Sequence, residues 1–205
     1  MWHGACVGSV AGVSRSSRLI AVLVVALALC VGVIVALVVG GGGGGSGSAT
    51  TTSAPPVTSG VTPDGVYQSA AGFSLGVRVL PGSVRDDGGQ HTETWPRGGF
   101  TFTVALGSKG AASGPALDQR LRDELAKAAA SLGATAQAGQ PVDRDGGRAL
   151  DARLTSGDTT VVTRHLAYAD GRYVVLACAG PAAYLAEDTI AKECPELTES
   201  FHLAR

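Results

Sequence analysis

The chain has 205 residues with 16 basic and 17 acidic side chains, a formal net charge of −1 at neutral pH. Only Arg15 and Arg18 precede the apolar block that begins at Leu19, so the remainder carries 14 basic against 17 acidic side chains, net −3. A mildly acidic remainder argues against a nucleic-acid binder, which needs a basic face to neutralise phosphates. Apolar residues make up 45% of the chain, but much of that excess lies in one N-terminal run and 30 residues are Gly, so the globular part is shorter than the whole.

In chain order, residues 1–18 read as a short cytoplasmic tail. Leu19 to Val39 follows without a charge or a strong hydrogen-bonding side chain. At about 1.5 Å per residue it reaches roughly 30 Å, the thickness of a bilayer's hydrocarbon core. The span is therefore expected to be a transmembrane helix, residues 19–39. Arg15 and Arg18 stand just before it and the next basic residue is Arg78, which puts the N-terminus in the cytoplasm and the C-terminus outside. Its length favours an uncleaved signal-anchor over a signal peptide, whose apolar stretch is only about 7–15 residues. Cleavage near Ala49 is the competing reading. Cys30 has nine apolar residues after it and does not suit a lipoprotein signal, and Cys6 reads as a plain thiol rather than a palmitoylation site. Residues 40–63, rich in Gly, Ser, Thr and Pro, cannot bury enough apolar area to offset the entropy of ordering and read as a disordered linker.

From residue 64 onward the pattern predicts a folded extracytoplasmic domain, 64–205. Phe73, Leu75, Val77 and Val79 alternate with polar or small residues, as do Phe100, Phe102, Val104 and Leu106, so both stretches read as half-buried strands. A short strand at 66–69 is expected to pair with the first. Pro115 opens a helix in which Leu117, Leu121, Leu125, Ala128 and Leu132 recur at helical spacing, and Gly133 ends it. Asp170-Gly171 reads as a type I′ hairpin that pairs Tyr168 with Tyr173 and Leu166 with Val175, leaving His165 on the face of Val174, Leu176 and Cys178. A turn at Ser156-Gly157 puts Ala152 opposite Val161 and Leu150 opposite Thr163, with Asp151 diagonal to Arg164 and able to pair with it. Pro181 is expected to open a second helix to about Glu193, and 197–203 to return across the sheet with Phe201 buried. The fold class is thus α+β: a transmembrane helix, then a central antiparallel sheet of about six strands with helices on its faces.

Cys178 and Cys194 are the only cysteines beyond the apolar block, and two in an oxidising compartment are expected to form one disulfide, with a pair of reduced buried thiols as the alternative. No catalytic, cofactor or metal site is apparent. His3, His91, His165 and His202 are scattered, without a partner at metal spacing. His165, mid-strand on an apolar face, reads as a core histidine. Asp143 and Asp145 before Gly146 hint at a calcium loop, but the twelfth position is Leu154, so a surface turn is expected. The run 85–99 is polar with a lone Trp95 and Arg97, which either serve as a partner-binding hot spot or pack their own loop down.

The segments GFSLGV from Gly72, LDARL from Leu150, DGRYVVLAC from Asp170 and the terminal Ser200-Phe201, in the order strand pair, strand, helix, meander, helix, resemble the PsbP-like family, whose fold is shared with Mog-type proteins. The resemblance runs from Gly65 to Leu203. It implies a central antiparallel sheet with helices on both sides and action by binding other proteins. The tryptophan that often follows the first hairpin in such domains is missing, since Leu80-Pro81-Gly82-Ser83 stands there, and no functional residue of the family carries over. The expected function is a non-catalytic, membrane-anchored binding or accessory module for an envelope or secretion partner. The competing expectation is an envelope hydrolase assembled from distant residues such as His91 and Asp86, which requires those groups to converge within hydrogen-bond reach.

Overall fold

The computed structural model describes residues 58–185 and 188–204. The tail, the expected membrane span and most of the expected linker lie outside them, and no helix among the described residues is long and apolar enough to cross a membrane. The chain is β-rich and its strands are antiparallel. They are β1 (Gly60–Val61), β2 (Tyr67–Ser69), β3 (Phe73–Leu75), β4 (Ser83–Asp87), β5 (Gln90–Pro96), β6 (Thr101–Ser108), β7 (Thr135–Ala138), β8 (Val142–Arg144), β9 (Gly147–Ser156), β10 (Thr159–Ala167), β11 (Arg172–Pro181) and β12 (His202–Leu203). The helices are α1 (Pro115–Leu132), α2 (Ala182–Leu185) and α3 (Asp188–Glu199).

The large sheet runs β4-β5-β6-β11-β10-β9-β7, with β8 also paired to β9. A second sheet, β1-β2-β3-β12, was not expected; the single sheet of about six strands is corrected to two. The large sheet is buried on both faces. One face carries Leu150, Ala152, Leu154, Val161, Tyr173, Val175 and Ala177 under α1, which contributes Leu117, Leu121 and Leu125. Each such buried leucine stabilises by about 1.5–3 kcal/mol. The other face carries Trp95, Phe102, Val104, Val174, Leu176 and Cys178, covered by Tyr67, Phe73 and Leu75 of the second sheet and by Cys194, Leu197 and Phe201 near the C-terminus.

α1 starts and stops where its sequence says it should. Pro115 occupies the first turn, where no amide hydrogen bond is lost, and Gly133 adopts a left-handed conformation. The Gly133 and Ala134 amides donate to the carbonyls of Ala130 and Ala129, a Schellman ending. Asp118 fastens the helix to the sheet, accepting two hydrogen bonds from Arg148 at 2.7 and 3.0 Å.

The turns correct two registers. At the tip of β10–β11 the Gly171 amide donates to Tyr168 and the Tyr168 amide to Arg172, so three residues, 169–171, make the loop. Gly171 alone is left-handed there, with φ 92°, the pattern of a type I turn closed by a glycine bulge. Ala167 therefore faces Tyr173, and His165 faces Val175. His165 lies on the face of Tyr173 and Val175 under α1, not on that of Val174, Leu176 and Cys178. The type I′ hairpin belongs instead to Asp145-Gly146, where both residues are left-handed (φ 51° and 79°) and join β8 to β9. The surface turn expected there is what forms. The β9–β10 turn closes at Ser156 and Thr159, which moves the pairing by two residues and leaves the faces unchanged. Asp151 thus stands directly across from Arg164 rather than diagonal to it.

Three further boundaries differ. The strand expected at 73–79 breaks after Leu75, and Val79 is exposed. Most of the run 85–99, read as a polar loop segment, lies in the β4–β5 hairpin. β11 includes Pro181, and α3 runs on through Cys194 to Glu199.

Candidate functional site

Polar chemistry gathers where β4, β5 and β2 meet. On β5, His91, Glu93 and Trp95 alternate onto the face that looks at the second sheet. Glu93 is fully buried. It accepts a short hydrogen bond from the Ser69 hydroxyl of β2. The His91 ring has one nitrogen, Nε2, 2.8 Å from the same oxygen of Glu93, and the other, Nδ1, 2.7 Å from Asp86 of β4. Asp86, His91, Glu93 and Ser69 thus form one chain of contacts from solvent to the junction of the two sheets. The second oxygen of Glu93 and the Tyr67 hydroxyl are buried without a hydrogen-bond partner among the described residues.

The electrostatics follow from that placement. Burial opposes charge on His91, but the hydrogen bonds and charges of Glu93 and Asp86 outweigh it and raise the imidazole above its ordinary value. Burial, with Glu93 nearby, also raises the Tyr67 hydroxyl. The Asp86 carboxylate is mostly exposed, whereas Ser69 and Glu93 are sealed below it.

His91 and Asp86, singled out as a pair that a hydrolase would bring within bonding reach, are brought there. Glu93 and Ser69 escaped the sequence reading. The signal for Glu93 was the alternation His91, Glu93, Trp95 on β5, which a glutamate on the core side disguises as loop polarity. No group of three or more His, Cys, Asp or Glu among the described residues is placed to hold a metal ion.

Trp95, weighed as a partner-binding residue, is 1% exposed. Its ring packs edge-on against Tyr67 and tilted against Phe102, and its indole nitrogen donates to the Val79 carbonyl at 3.2 Å. The alternative, that it packs its own segment down, describes the structure, and the indole offers no surface to a partner. Arg97 is partly exposed and lies 3.7 Å from Glu193 of α3, so Trp95 and Arg97 do not form one exposed patch.

Exposed apolar surface lies elsewhere. Val79, Leu80 and Val84 are 48%, 62% and 55% exposed. They lie on and just before β4, an edge strand of the large sheet, all five of whose residues are exposed. Val84 faces Glu93 across the ladder, so it shares the side of the sheet that carries Trp95.

Two other polar centres are structural. His165 is 1% exposed and its Nδ1 lies 2.6 Å from the Tyr173 hydroxyl; burial holds its pKa down at about 4, keeping the ring neutral. Arg164 makes a two-pronged pair with Asp151 at 2.6 and 2.8 Å and reaches Glu199 at 2.9 Å, tying the end of α3 to the sheet. Cys178 and Cys194 are joined by the expected disulfide, which fixes α3 to β11.

No protein-family model and no curated protein matches the chain. It is similar to a solved crystal structure from Bacteroides thetaiotaomicron VPI-5482, at 14% identity and a TM-score of 0.38, over 74% of this chain and 50% of that one. The chain thus spans half the length of that protein, and a TM-score of this size carries no argument about fold or function.

Proposed function

We propose that the chain is a single-pass, membrane-anchored protein whose extracytoplasmic domain binds a protein or envelope component and is not itself an enzyme. The anchor is the apolar span 19–39, and the orientation follows from Arg15 and Arg18. The observation that carries the binding reading is the exposed apolar group Val79, Leu80 and Val84 beside edge strand β4. An edge strand presents unpaired amides and carbonyls, and an extended segment of a partner can add to it, with its side chains meeting the apolar group. The resemblance to the PsbP-like family points the same way. Nucleic acid is not the expected partner, given the net −3 of the chain beyond the apolar block.

Protease added to intact cells tests the placement. The domain should be degraded without lysis, and a domain that resists until the membrane is broken would remove the proposal.

A hydrolase is the second reading, and the convergence of Asp86 and His91 favours it. Burial of Ser69 and Glu93 weighs against it, because a substrate would have to displace the second sheet to reach them. Turnover of an ester or amide substrate by the full chain, abolished in His91→Gln, would establish it.

A further inference from the structure

Both ring nitrogens of His91 face carboxylate oxygens, which only accept hydrogen bonds when ionised. A neutral imidazole has a single N–H, so one of these two contacts would then set a lone pair against a lone pair. The doubly protonated ring donates at both ends and fits the geometry as it stands. It also supplies the positive charge facing Glu93, a carboxylate with no exposure to water. An ionised carboxylate that loses its partner in such a place is strongly destabilised.

The polar groups around the ring come from three strands. β4 supplies Asp86, β5 supplies Glu93, and β2 supplies Ser69 and Tyr67 around the same carboxylate. β6 places Leu106 across from His91 and brings no charge. The doubly protonated ring, donating at both nitrogens, therefore joins the exposed edge strand to the interface between the two sheets.

We propose that His91 is a proton-operated latch. Protonated, it ties β4 through Asp86 to buried Glu93, and through Ser69 to the second sheet; deprotonated, it keeps a single N–H and can hold only one of the two carboxylates. The latch does not depend on what docks on β4. Because folding raises the affinity of the ring for its proton, the latch contributes fully below about pH 6.5, the ordinary histidine value, and is lost as pH rises through the higher folded value. His165 does not confuse this window, because it titrates near 4.

The test uses the full chain in detergent. The His91 ring is titrated by NMR, urea unfolding is followed between about pH 6 and 9, and amide exchange is read after correction for its intrinsic pH dependence. In the wild type, stability should fall across the window. Exchange in β4 and β2 should rise at least roughly tenfold relative to β9 and β10. His91→Gln should show no such pH dependence. Asp86→Asn, an exposed change that the fold tolerates, should move both the His91 midpoint and the loss of stability to lower pH. If His91→Gln does not fold, Asp86→Asn decides alone. A wild type whose pH profile matches that of His91→Gln, or is unmoved by Asp86→Asn, would overturn the latch.

Discussion

Trp95 shows how a residue's neighbours on the strand decide its role. Its burial against Tyr67 and Phe102 makes it part of the inter-sheet core, so Trp95→Ala should destabilise the chain by about 3–5 kcal/mol. Urea unfolding measures this, and a loss well below 1 kcal/mol would mean that the indole is free in solution. The sequence showed a tryptophan among Thr, Glu, Pro and Arg, and a period of two only emerges once Glu93 is accepted as a core residue. His165 was legible as a core histidine because it sits among apolar residues. Its pH effect has the opposite sign to that of His91. The folded value is depressed to about 4, so the stability it allows is present above about pH 6.5 and is lost as the pH falls toward 4. His165→Leu should flatten that acid-side loss in unfolding measured as a function of pH.

Among the elements, those legible from sequence were the ones marked by a regular apolar period or by a turn dipeptide between apolar runs. α1 and strands β6, β9, β10 and β11 follow from such patterns; the pairing of Cys178 with Cys194 followed from there being just two cysteines beyond the apolar block. The turns were less legible, because the same Asp-Gly dipeptide serves two geometries. At Asp145-Gly146 it makes a two-residue hairpin, whereas at Asp170-Gly171 the backbone of Gly110 lies so close that a Cβ on Gly171 would come within 2.6 Å of it. That contact is set by the tertiary fold and leaves no mark on the local sequence. Gly171→Ala should accordingly cost about 1–3 kcal/mol, more than Gly146→Ala, where a Cβ meets open space. Thermal unfolding of the two variants ranks them. The disulfide binds α3 to the sheet, so its reduction should cost about 2–4 kcal/mol. Amide exchange should then rise first in α3, which the ion pairs of Glu199 with Arg164 and Arg144 and of Glu193 with Arg97, and the burial of Leu197, still hold.

At the scale of the whole molecule, the pairing of β2 with β3 was legible, but that they belong to a separate sheet with β1 and β12 was hidden from the sequence. β1 and β12 are two residues long, too short for any periodicity, and β12 joins β3 only after the chain has crossed the fold. Covering the large sheet on both faces leaves the β4 edge, with Val79, Leu80 and Val84, as the surface that the binding proposal uses. The most direct measurement is site-specific photo-crosslinking of the full chain in intact cells, with the crosslinker in place of Leu80 or, as a control, of exposed Tyr184 on α2. The account predicts one discrete adduct from position 80, lost when Val84→Lys is added, and none from position 184. The same adducts from both positions, or none from position 80, would contradict it.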